Sequence, residues 1–384
     1  MNQLFTDILI IGGGPAGSTA TLFLSELGFD ITLVEKKIFP REVLCGEFLS
    51  KEVTDIMKEL KIYNDFLSLN PNKIDSFCAI DDSGIELKSN LNFNAYALKR
   101  SIFDSFLLEK AKSRNIKVIQ PAEVISVFRS NSVFSSEVIQ EDDNKIKIES
   151  KLVIGAYGKQ NILDKKLDRN FVDKKSNLNG VKFHIPTNLL EEKFDDEIRI
   201  YVDKELYCGL NKINSDEVTV CFLENRSQSK IPSRQKLIEA IKSNKNFRKI
   251  FSDDAIEYIK STNIYGTGNI FFGKREVVEK GIIMVGDSAQ VIAPLAGDGI
   301  GMAMESAKIL FTVIKNFDLL NPEKLYSEYN KYFNESFSLR VKTAKLIQGI
   351  ILNKTTRNIS FSVADKFPSL LPYLIKFTRS NKRP

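Results

Sequence analysis

No tryptophan occurs among the 384 residues, histidine occurs once (His184) and cysteine four times. The cysteines show no CxxC spacing, so they read as reduced thiols, and a disulfide scaffold is excluded. A Ser-His-Asp triad or a histidine-rich metal site would rest on His184 alone. That residue ends the strand-like run Val181-Lys182-Phe183-His184 and is expected to be structural; no metal is expected. No apolar run approaches the ~20 residues that span a bilayer. The opening residues, MNQLFTDILIIGGGPAG, lack the basic segment and apolar stretch of an export signal. A cytoplasmic protein is therefore expected. Charge of one sign is also scarce: 55 Lys and Arg against 49 Asp and Glu leave +6, taken as spread along the chain. This gives no reason to expect a nucleic-acid partner.

What is present is ordinary globular composition, 43% hydrophobic and 27% charged, in a chain long enough for two or three units at about 150 residues each. Asp7-Ile8-Leu9-Ile10-Ile11 is a short apolar run of the kind buried on both faces of a parallel sheet. A glycine turn follows, then helical spacing over Ser18 to Leu27, then a second buried strand, Ile31 to Val34, ending at Glu35. Strand, turn, helix, strand is one βαβ unit. Further helices are predicted over 51–60, 100–112 and 233–243. Antiparallel strands are predicted over 124–149 and 180–222, and parallel-type strands at 117–119, 151–156 and 281–285.

Gly12-Gly13-Gly14-Pro15-Ala16-Gly17 fits GxGxxG, with glycines at 12, 14 and 17. Gly12 permits the tight turn, Gly14 lets a pyrophosphate approach the backbone, and Gly17 lets helix and sheet pack closely. The helix N-terminus offers N–H groups and a positive dipole end to phosphates. Glu35, with Lys36 after it, stands where a carboxylate accepts hydrogen bonds from an adenosine ribose. The motif alone does not choose between FAD and NAD. A second element does: Gly281-Ile-Ile-Met-Val-Gly286-Asp287, then Pro294-Leu-Ala-Gly297-Asp298-Gly299-Ile300-Gly301. Asp287 at a strand end suits a ribitol hydroxyl, and the second turn would aim N–H groups at the flavin ring. Two phosphate-competent turns at opposite ends of one chain argue for FAD.

With these motifs in hand, the sequence resembles flavin-dependent monooxygenases of the p-hydroxybenzoate hydroxylase type and, more closely, geranylgeranyl reductase-related flavoproteins, over Asp7 to about Phe311. Leu44-Cys45-Gly46-Glu47-Phe48-Leu49-Ser50 is similar to a motif of the reductase branch, and the resemblance implies that Cys45 and Gly46 pass beside the isoalloxazine ring. It also implies a FAD contact from Arg100 at a helix start and main-chain contacts to the adenine near Val124. Arg41 is a candidate for a FAD phosphate or a transient nicotinamide. Cys78, Cys208 and Cys221 read as core. The implied fold is α/β: a Rossmann-like FAD-binding domain (GR2-type flavoprotein) of residues 1–62, 98–179 and 262–320. It is interrupted by an antiparallel-sheet substrate domain of 63–97 and 180–261, with a C-terminal helical region over 321–384.

Three departures from the family pattern matter. The hydroxylase DGxxSxxR segment appears as Gly155-Ala156-Tyr157-Gly158-Lys159-Gln160-Asn161-Ile162-Leu163-Asp164, with Tyr157 in place of the acid. The aromatic YxWxFP strand of lipid reductases appears as Tyr207-Cys208-Gly209-Leu210-Asn211-Lys212, a smaller and more polar wall. Lacking tryptophan, the chain is not expected to be a halogenase. The expected function is an FAD-dependent oxidoreductase reduced by NAD(P)H, acting on a small to medium apolar organic molecule such as a polyketide, quinone or aromatic intermediate. It would insert oxygen from O2 or pass a hydride to a polarised double bond, with Cys45, Glu47 and Tyr207 as candidate catalytic residues. One alternative is a prenyl-lipid reductase touching the membrane through the apolar stretch Phe367 to Phe377; another is a flavin-binding protein without turnover.

Overall fold

The computed structural model describes residues 2–141, 143–203, 206–227, 231–317 and 321–379. In its first half, β1 (Asn2–Ile11), α1 (Pro15–Leu24) and β2 (Ile31–Val34) form the expected βαβ unit, followed by β3 (Phe48–Leu49) and α2 (Lys51–Glu59). The short α3 (Tyr63–Leu67) leads into two long strands, β4 (Asn72–Ile80) and β5 (Glu86–Ala97). Then come α4 (Arg100–Lys112), β6 (Lys117–Ile119), β7 (Ala122–Ser130), β8 (Val133–Gln140), β9 (Lys145–Gly155) and α5 (Ile162–Lys166).

The second half opens with β10 (Leu178–Pro186), β11 (Glu197–Asp203), β12 (Leu206–Lys212) and β13 (Glu217–Asn225). Three helices follow, α6 (Ser233–Ser243), α7 (Lys245–Arg248) and α8 (Asp253–Ser261), then β14 (Tyr265–Thr267), β15 (Val278–Glu279) and β16 (Ile282–Met284). The chain closes on four helices, α9 (Gly299–Asn316), α10 (Pro322–Leu352), α11 (Lys354–Lys366) and α12 (Leu370–Phe377).

Two sheets divide these strands. In the first, β16, β9, β1, β2 and β6 lie side by side, with β9, β1 and β2 paired in parallel. Ile8, Leu9 and Ile10 are fully buried there, which is why an unbroken apolar run, not alternation, marks the central strand. The hairpin of β7 and β8 extends this sheet from β9. The second sheet runs β14-β10-β13-β12-β11-β4-β5-β3, with antiparallel pairs except β11 against β4.

Register fixes which residues of the second sheet share a face. Lys182 pairs with Cys221, and Cys221 with Gly209; His184 pairs with Thr219, and Thr219 with Asn211. With the period of two along each strand, these rows lie on one face. That face is covered by the segment from Arg41 to Phe48 and looks toward the ends of β1 and β2. None of the described helices is long and apolar enough to cross a membrane.

Candidate active site

A cavity of about 1260 Å³ opens between the two sheets. Gly12, Gly14, Pro15 and Ala16 line it from the first turn, and Asp287, Pro294, Gly297, Asp298, Gly299 and Ile300 from the second. The two turns, almost 300 residues apart in sequence, therefore meet across one space. Both helices that follow begin at it: neither α1 nor α9 has a side-chain N-cap or an acidic residue in its first turn. Their free N–H groups are left for an anionic or polar ligand.

The glycines of the first turn divide by role. A Cβ at Gly17 would lie 1.8 Å from the Gly12 carbonyl oxygen, and one at Gly12, with φ +107°, 2.5 Å from that of Ala156. Those two positions close the helix onto the sheet. At Gly14 the nearest atom is Arg41 Nη2 at 3.5 Å, so its bareness serves the cavity and not the packing. Glu35 ends β2 at 5% exposure; its Oε2 accepts from Gly13 N at 2.6 Å and its Oε1 from Lys37 N at 2.7 Å. A carboxylate has about four acceptor sites, so lone pairs remain for a ribose. Lys36 and Val124 also line the cavity, Lys36 holding Glu123 at 2.8 Å. These features fit a dinucleotide: an uncapped helix N-terminus, a bare glycine and a positioned carboxylate.

Gly17 and Gly301, expected at the cofactor, do not line the cavity. Gly301 is required by packing, since a Cβ there would lie 2.3 Å from Asp298 Oδ1 and 2.8 Å from Ser50 Oγ. The Asp298 carboxylate is likewise engaged: Ser50 donates to it at 2.9 Å, Arg340 donates to it, and Arg379 Nη1 stands 3.6 Å away. Its contribution to the cavity is main chain. The Arg100 guanidinium is held by Asp104 at 2.6 and 2.8 Å and reaches the Cys45 thiol. Arg41 stacks on Phe39, lies 3.5 Å from Asp104, and its buried Nε has no protein partner. Cys45 thus has a guanidinium neighbour that sequence proximity did not reveal, and its sulfur accepts from Glu47 N at 3.2 Å. Cys221, expected in the core, lines the cavity instead.

Glu47 is the least anticipated feature. Its side chain is fully buried with φ +61°, and its oxygens collect donors from separate elements. Oε1 accepts from Arg100 N at 2.9 Å and Lys182 Nζ at 2.8 Å; Oε2 accepts from Thr219 Oγ1 at 2.5 Å and meets His184 Nε2 at 2.7 Å. Lys182 also donates to Glu42 at 2.6 Å. Burial pushes the Glu47 pKa up, but the His184 hydrogen bond and the Lys182 ammonium outweigh it and hold the group at about 2. A carboxylate so firmly ionised has no proton to give near neutral pH, so Glu47 fastens the 41–48 segment to the second sheet and does not serve as a general acid. Glu42, Glu47 and His184 place one ligand atom each within 4.8 Å of one another. The Lys182 ammonium, bonded to both carboxylates, is the cation of that group. His184 is not among the residues that line the cavity; its ring is half-buried against Glu47. One sequence signal existed: Lys182 and His184 alternate with Val181, Phe183 and Ile185, a polar face that reads equally as solvent-facing.

Tyr207, Gly209 and Asn211 line the far wall on β12. Burial pushes the Tyr207 hydroxyl well above its ordinary pKa, and neither that hydroxyl nor Asn211 Nδ2 has a protein partner. A Cβ at Gly209 would meet nothing closer than 3.7 Å. The altered 155–164 segment has become a brace. Asp164 accepts from Tyr157 at 3.0 Å and from Arg169 at 3.1 Å, and closes a capping box with Asn161. Arg169 then reaches the carbonyls of Ser288 and Glu276 at 2.9 and 2.8 Å, fixing the stretch that carries Asp287.

The chain is 25% identical over 356 residues to a 1H-pyrrole-2-carbonyl-[peptidyl-carrier protein] chlorinase of Pseudomonas fluorescens, spanning 81% of this chain and 77% of that protein. It is 24% identical to the digeranylgeranylglycerophospholipid reductase of Methanosarcina acetivorans, spanning 98% of this chain and 94% of that one. The fold is shared with p-nitrophenol 4-monooxygenase of Pseudomonas putida, at TM-score 0.77 and 15% identity over 100% of both chains. A chlorinase thus stands among the relatives of a chain that itself contains no tryptophan. The model of the FAD binding domain family matches residues 5–317. NAD(P)H is the electron donor typical of that family, and the chain belongs to it as an FAD-dependent oxidoreductase.

Proposed function

We propose that the protein is an NAD(P)H-dependent flavin monooxygenase or double-bond reductase acting on a small to medium, largely apolar organic molecule. The observation that carries this reading is the single cavity reached by both glycine turns and by β12. Its volume, about 1260 Å³, exceeds the about 300–1,000 Å³ of a pocket for one drug-sized ligand, leaving room for a cofactor and a substrate together. Gly12, Gly14, Pro15, Ala16 and the start of α1 would hold the diphosphate of FAD, Glu35 the ribose, and the backbone near Val124 the adenine. Asp287 would hold the ribityl chain, and Pro294 to Ile300 with Cys45 and Gly46 would flank the ring. Arg41, with one buried donor to spare, would meet a phosphate.

Bound flavin supplies hydride transfer and reaction with O2. The protein positions the substrate and keeps water out. Ile198, Ile200, Cys221 and Leu223 offer it an apolar wall, with Gly209 leaving space for a flat molecule. Tyr207 keeps its proton and so acts as a donor or as packing, not as a base. The decisive experiment is turnover of the purified chain with NADPH. Hydrogen peroxide formed in air, with an oxygenated product from an aromatic or quinone substrate, supports the monooxygenase. Anaerobic saturation of an alkene supports the reductase, and a product that requires chloride or bromide contradicts both. A prenyl-lipid reductase at the membrane surface is a second reading, favoured by the near full-length similarity to the archaeal reductase and by the exposed apolar C-terminal helices.

A further inference from the structure

We propose that the outward face of α11 and α12 docks on an anionic lipid surface. Among the described residues, 10 of 19 exposed large hydrophobic side chains lie between Tyr332 and Phe377. They do not form the stripe that holds these helices to the body. On α11 that stripe is Arg357, Phe361 and Ala364, with Arg357 fully buried and donating to Asp82 at 3.0 Å. On α12 it is Leu371 and Ile375, the latter packed against the cluster containing Phe48, Ile74 and Ala97. Ile359 and Val363 on α11, and Leu370, Tyr373, Leu374 and Phe377 on α12, point away from it at 43 to 63% exposure. The α12 set has the spacing i, i+3, i+4, i+7 of one helix face.

Charge selects the occupant. Residues 321–384 carry 12 Lys and Arg against 4 Asp and Glu, more than the whole excess of the chain, so the +6 is not spread as its sequence total suggested. Lys354, Lys366 and Lys376 are exposed beside the apolar residues, with Asp365 the one acid on the two helices. Aromatic and aliphatic side chains flanked by lysines on short helices are the composition that lies in a headgroup interface, drawn there by anionic lipid. The location adds a consequence that rests on the proposed apolar substrate, although the docking itself does not. Phe48, a member of the cluster on which Ile375 packs, lines the cavity, so a docked membrane would lie one helix diameter, about 10 Å, from its wall.

Flotation of the full-length holoprotein with vesicles tests this without turnover. It should rise with vesicles of phosphatidylcholine mixed with phosphatidylglycerol and far less with phosphatidylcholine alone. Tyr373→Ser with Phe377→Ser should weaken partitioning by about tenfold or more, and Lys366→Glu with Lys376→Glu should abolish the preference for anionic lipid, both with flavin content unchanged. Protein left at the bottom of the gradient with either vesicle overturns the proposal. So does a concentration-dependent dimer lost in the Tyr373→Ser, Phe377→Ser variant, which would make the face a contact between copies. If flotation succeeds but only water-soluble substrates turn over, the docking stands and the apolar-substrate reading fails.

Discussion

At Gly14 and Gly17 the same residue type answers two different demands, and substitution separates them. Gly14→Val should yield a folded protein that loses FAD, because the added carbons enter the cavity where the diphosphate is proposed to lie. Gly17→Val should fail to fold, because even its Cβ meets the Gly12 carbonyl at 1.8 Å. Circular dichroism with flavin absorbance on both variants checks this. Glu47 gives a pH prediction. Its pKa, held near 2, lies below the unfolded value of about 4.3, so its contribution is complete above that value and is lost as pH falls toward 2. Integrated over that gap, it is worth about 3 kcal/mol. Thermal melts in acid should show a shallower decline for Glu47→Gln than for the wild type across this window. The residues of local motifs were legible in sequence because a turn, a strand end and a helix start are neighbours along the chain. The partners of Glu47 were not: Lys182, His184 and Thr219 are more than 130 residues away, joined to it only by the register of the second sheet.

At the scale of elements, α10 and Arg379, the second residue after α12, are tied to the second glycine turn through one carboxylate. Arg340 and Arg379 converge on Asp298, and Arg340 also holds Glu305 at 2.5 Å. Removing one partner of a buried pair typically costs about 3–5 kcal/mol. Arg340→Met should therefore lower the melting temperature and, by freeing the 294–301 turn, weaken FAD binding; calorimetry and a FAD titration read the two effects separately. Unchanged affinity in a destabilised variant would mean that the C-terminal helices do not brace the flavin turn. Element positions followed from sequence where one signal governed: 100–112 and 233–243 are helices at the expected residues. They did not where tertiary pairing decided, as for β4 and β5, whose length comes from pairing along both strands.

For the whole molecule, the cofactor should be part of the stability. A ligand that binds the folded chain alone adds about 2.7 kcal/mol at a concentration one hundred times its Kd, so the melting temperature of the apoprotein should climb with added FAD. The composition of the chain foretold neither the clustering of basic charge nor that of exposed apolar residues in its last 60 positions, since totals carry no position. The central claim is that two turns from opposite ends of the chain enclose one flavin, and the visible spectrum of the purified protein tests it most directly. The expected result is a yellow protein with about one FAD per chain, bleached by NADPH without oxygen and recoloured in air. A colourless protein that takes up no added FAD would contradict it.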